Sequence, residues 1–117
     1  MITGINCVYT NATLRIATKG TVLAGTVLGE ITGSNVLVPY QSSAEDGSEV
    51  PCYVLAVDVE NTTDSSLDVK NARVIAYGQV NANALILTKS GDTVDAIKTT
   101  LKNNGILVMN VQEGIGD

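Results

Sequence analysis

The side chains able to do chemistry in this chain are carboxylates, two thiols and the backbone of a glycine-rich run. Glu45 and Asp46, with Glu49 close by, could pair as acid and base or bind a divalent cation. The stretch is too short for the regularly spaced oxygen ligands of an EF-hand, and it reads as a solvated loop. Asp58, Glu60, Asp64 and Asp68 form a second acidic group, and the Thr and Ser residues between them make it a turn-rich surface loop. Cys7 and Cys52 are the only cysteines, and there is no histidine. The commonest general base and metal ligand is therefore missing, and no Ser-His or Cys-His pair can form. Two cysteines alone cannot build a structural zinc site. Nothing beside Pro51 lowers the pKa of Cys52, so both thiols are expected to be free and buried, although an oxidising compartment would allow them to pair. The run ATKGTVLAGTVLGEITG, residues 17–33, matches neither phosphate-loop pattern and no helix follows it. It reads as short strands folded back at glycine turns. The expectation is no catalytic residue, no metal and no cofactor.

The elements needed to position these groups are mostly strands. At 117 residues the chain suits one domain, able to bury about two-thirds of its unfolded surface. It has no Phe and no Trp, so a core of Val, Ile, Leu and Ala in thin β layers is expected. Leu14 and Ile16 alternate with Thr13 and Arg15 as in a half-buried strand. A short strand is expected over 36–40, stopped by Pro39. The run YVLAVDV, residues 53–59, is apolar on both faces and should be a central strand. Residues 41–48 and 61–66 read as polar loops. Residues 69–80 read as a longer strand bent at Gly78, and 84–87 as a short strand or a turn of helix.

One helix is expected, over 93–103. Asp92 supplies an N-cap, Asp95 a first-turn charge, and Val94, Ile97 and Leu101 one apolar face. Gly105 closes it, a strand follows over 106–111, and residues 113–117 form a tail. The fold class is thus mostly β, a single domain of short strands with one C-terminal helix.

Charge narrows the partners. The formal net charge is −5 and the seven basic residues form no run, which argues against nucleic acid. The opening MITGINCVYT has no secretory pattern, and no run approaches the ~20 apolar residues of a membrane helix. Residues 1–11 stand apart from the rest, 12–117. They are apolar but rich in Gly and Asn, with no partner nearby. They suit either an edge strand of the same domain or a strand added to another protein, where main-chain hydrogen bonds supply affinity. The candidate binding residues are Ile2, Thr3, Gly4, Ile5, Asn6, Val8 and Tyr9.

The order KGTVL, LGEITG, DGSE, YVLAVDV, a glycine-bearing strand over 74–80 and LKNNGILV resembles the phage lambda head decoration protein D family. The resemblance spans residues 13–110 and rests on order and spacing. It implies a β-clip-type fold and homotrimers on the outer surface of the virion capsid, reached from the host cytoplasm during assembly. It also implies binding to the major capsid protein after shell expansion, stabilisation against packaged DNA, and an N-terminal segment that adds to the capsid protein as a strand. A β-module binding a sugar or peptide is the alternative. Such modules usually stack aromatics on the ligand, and four Tyr are the only aromatics here.

Overall fold

The computed structural model describes residues 4–109, with side chains from Cys7 onward. Eight strands form: β1 (Gly4–Ile16), β2 (Gly20–Val22), β3 (Val27–Ile31), β4 (Val36–Pro39), β5 (Pro51–Leu55), β6 (Val59–Asn61), β7 (Leu67–Asn81) and β8 (Ile106–Met109). Helix α1 (Val94–Asn103) lies between β7 and β8.

The main sheet runs β1-β4-β3-β5-β7-β8, and β1 also pairs with β7. That extra pairing closes β1, β4, β3, β5 and β7 into a five-stranded barrel. Closure covers strand edges within the barrel but not along the first half of β1, which β4 reaches only at Thr13 and Leu14. β2 and β6 form a separate two-stranded ribbon.

Two cores follow from the alternation of strand side chains. Leu14, Ile16, Leu28, Leu37, Leu55, Ala72 and Val74 pack together as one cluster. Val27, Val54 and Ile75 are their sequence neighbours and face the other way. They pack with Val80, Ile97, Leu101, Ile106 and Val108 under the helix and β8. β3, β5 and β7 therefore wall two apolar layers and must be apolar on both faces. This is why YVLAV reads as a central strand, and β5 does lie between β3 and β7.

Several local expectations shift. The central strand ends at Leu55; Val57 is exposed, and Val59 starts β6 in the other sheet. β2 and β3 do not fold back on each other, because β2 pairs with β6 while β3 pairs with β4 and β5. Residues 82–84 make a single 3-10 turn, and Ile86 bridges to Thr26. The helix is capped by Thr93, whose hydroxyl accepts from the Ala96 amide at 3.3 Å. Asp92 instead accepts from the amide and hydroxyl of Ser42, at 3.1 and 2.5 Å, tying the 41–48 loop to the helix start. Gly105 adopts φ +97° after the helix as expected, and the Tyr77 ring occupies the space where a Cβ would stand. Residues 1–3 and 110–117, which include part of the expected N-terminal arm and the tail, lie outside the described residues.

Candidate functional site

Of the carboxylates flagged in the sequence, Asp46, Glu49, Asp58, Asp64 and Asp68 each meet a donor or a cation. Asp46 accepts from the amide and hydroxyl of Ser48, at 3.0 and 2.5 Å, and those bonds hold its carboxyl below the ordinary value. Glu49 accepts from the Gly47 amide, and Asp58 from the Ala24 amide. Asp64 lies 4.0 Å from Lys19. Asp68 is held by Arg15 at 2.8 and 3.2 Å, which lowers its pKa. Among the described residues, no three His, Cys, Asp or Glu side chains gather as metal ligands.

Neither cysteine is in a disulfide, and both are half-buried, less deeply placed than the sequence reading expected. The Cys52 thiol lies 3.6 Å from the Leu28 carbonyl, and burial, aided by the nearby Glu30 charge, pushes its pKa up to about 11. A thiol so protonated is a poor nucleophile at neutral pH.

The segment 4–11 is the part of the expected site that the structure describes. It forms the first half of β1 and pairs antiparallel with β7, from Gly4 opposite Val80 to Asn11 opposite Arg73. The sequence shows no nearby partner because the partner lies more than sixty residues further along. Register shifts between Ile5 and Val8, between Val8 and Tyr9, and between Ala12 and Leu14 twist this ribbon. Ile2 and Thr3 lie outside the described residues. Gly4, Ile5 and Asn6 are placed by backbone alone, whereas Val8 and Tyr9 are exposed at 54% and 41%.

The other edge of β1 differs. β4 covers it only at Thr13 and Leu14, in parallel pairing with Val36 and Leu37. Over residues 4–12 that edge has no strand partner among the described residues. The segment reads GINCVYTNA, with no charge and no proline. These are two devices that usually block strand addition, and both are missing.

The flanks of this edge carry residues that the sequence reading did not single out. Tyr77 is 57% exposed opposite Val8. The Arg73 guanidinium sits 4.7 Å from the centre of the Tyr9 ring. A shallow groove of about 350 Å³ lies where β4 leaves β1, lined by residues 10–13 with Glu30, Asn35, Tyr53 and Lys70. A larger cleft of about 510 Å³ opens at the far end of β1, between the 16–22 turn and the 38–48 loop. Its lining mixes aliphatic residues such as Ile16, Val22, Val38 and Pro39 with short polar ones, and its cations Arg15 and Lys19 are already paired with Asp68 and Asp64.

The described residues thus form a small closed β-barrel with one long, uncharged strand edge over residues 4–12. The sequence matches the family model for bacteriophage lambda head decoration protein D over residues 2–107, and the chain belongs to that family. The family is one of structural components of the phage head rather than a known enzyme family. No curated protein matches the sequence.

Proposed function

We propose that this protein decorates the outer surface of the expanded phage head as homotrimers and stabilises the shell against the pressure of packaged DNA. It is made in the host cytoplasm and joins the virion during assembly. The observation that carries this reading is the open edge of β1 over residues 4–12, in a chain of the head decoration family. A strand of the major capsid protein adds there, and main-chain hydrogen bonds supply the affinity. The arm of residues 1–11, with Ile2, Thr3, Gly4, Ile5, Asn6, Val8 and Tyr9, is the capsid-binding segment.

A single short edge holds weakly. Three linked copies raise the apparent affinity by about 10²–10⁴ through effective concentration. The Val, Leu and Ile core, walled on both sides of β3, β5 and β7, suits a part that bears load. The net charge of −5 keeps a densely covered particle soluble and does not draw DNA.

Co-sedimentation with undecorated capsids of the parent phage tests the proposal. Saturation at one trimer per three-fold-type position on expanded shells, with none on unexpanded shells, is the expected result. Failure to bind either form overturns it.

A further inference from the structure

Beside the open edge of β1, the charge balance of the molecule is reversed. The chain carries twelve acidic and seven basic residues. Arg15, Lys19 and Lys98 are paired with Asp68, Asp64 and Asp95. Lys70 and Arg73 have no ion pair among the described residues. Both are exposed on β7, directly across from the stretch of β1 where the edge opens. Lys70 lines the groove formed with residues 10–13. Arg73 lines a second hollow with Tyr9, Thr10 and Asn11, on which its guanidinium is already positioned by the Tyr9 ring.

The acidic groups nearest this surface are otherwise engaged. Asp68 is bonded by Arg15, and Lys70 adds only a longer-range attraction to it, without an ion pair. Glu30, on the far wall of the groove, accepts from the Asn35 amide at 3.2 Å. A segment docked on the open edge along residues 9–12 therefore has two cations across β1, on the β7 side, and one carboxylate on the β3 side. The open edge itself has no charge with which to set register or exclude wrong strands.

We propose that Lys70 and Arg73 read an acidic side chain on the extended partner segment that pairs with the open edge of β1, and so fix the register of the docked strand. The inference rests on the shell-binding reading above and names the chemistry of the segment the shell must present. Planar guanidinium and carboxylate groups match in shape, and Lys70 adds a second charge from the neighbouring groove.

Binding to expanded shells of the parent phage, measured across salt concentrations, provides the test. Lys70→Glu with Arg73→Glu is expected to weaken binding by about tenfold or more, because like charges then face each other. The charge-preserving pair Lys70→Arg and Arg73→Lys is expected to keep most of the affinity, and Lys102→Glu on the helix to leave it unchanged. Wild-type binding should weaken as salt rises, and the double Glu variant should lose that dependence. Thermal melts of each variant separate a binding defect from a folding defect. If the double Glu variant misfolds, Lys70→Gln with Arg73→Gln gives the same comparison at lower cost to the fold. Wild-type-like binding by the charge-reversed or neutral pair overturns the inference while leaving the shell-binding proposal intact. Absence of wild-type binding overturns both.

Discussion

Asn61 is fully buried, and every polar atom of its side chain is used. Its amide donates to the carbonyls of Ile16, Thr18 and Ser65 at 3.0, 3.2 and 2.9 Å, and its carbonyl accepts from the Thr63 amide and hydroxyl. It thereby pins the end of β1 to the loop after β6. Asn61→Ala strands several of these groups, and a loss of about 2–3 kcal/mol in urea unfolding is expected. A loss near zero would mean that water replaces the bonds freely. The shifted carboxylates act through pH. The Ser48 hydroxyl, the Arg15 side chain and the Ser42 hydroxyl hold Asp46, Asp68 and Asp92 below the ordinary 3.8. A depressed folded pKa gives stability that is full above the unfolded value and is lost as pH falls through the folded one. The urea midpoint should thus drop as pH goes below 3.8, and a midpoint that rose on acidification would contradict these contacts. Cys52 works in the opposite direction. Its raised pKa gives stability present below 9.0 and lost as pH rises through about 11. Labelling of Cys52 by a thiol reagent at neutral pH should accordingly be slow in the folded protein and fast in urea.

Among the elements, the helix start and the β3 close approach each depend on a single residue type. Thr93→Ala removes the cap on the Ala96 amide and should cost about 1 kcal/mol. Asp92→Ala should act differently, loosening the 41–48 loop through the lost Ser42 bonds, visible as faster amide exchange at Ser42. If Asp92→Ala and Thr93→Ala shift helix protection equally, Asp92 shares the cap. Gly29 sits in β3 with its α-carbon against the Ser48 backbone. A methyl there meets main chain, which cannot swing aside as a flexible side chain can. Gly29→Ala is expected to cost about 1–3 kcal/mol through forced backbone shifts. A neutral result would show that the loop after β4 yields easily.

At the scale of the whole molecule, β7 decides the shape. It has fifteen residues, about 50 Å of extended chain at roughly 3.3 Å each. Its lower half closes the barrel with β1 residues 12–16, while its upper half carries β1 residues 4–11 on one side and β8 on the other. Among the described side chains of residues 7–11, only Cys7 packs against a core cluster. Deleting residues 1–11 should therefore leave the barrel closed and the melting temperature little changed, and it should abolish shell binding. Unfolding of the truncated chain would instead make the first half of β1 a strand the fold requires.

The sequence by itself determined the class of this protein and much of its chemistry. Aliphatic runs bounded by glycine, proline and polar loops specify short strands, and Ile97 and Leu101 at helical spacing specify the one helix face that enters the core. These are local signals, and local signals survive without neighbours. The family is legible for the same reason, since order and spacing are properties of the chain. Tertiary structure alone decided where the strands go. Residues 53–59 look like one strand, yet the chain leaves the barrel wall after Leu55, because β6 must turn away to pair with β2. Asp92 looks like a cap, yet Ser42, fifty residues away, takes its carboxylate. The segment 4–11 looks solitary until β7 arrives beside it, and only then do Lys70 and Arg73 stand across β1 from an open edge. Pairing and charge juxtaposition depend on distances in space between residues far apart in the chain, and no periodicity along the sequence encodes them.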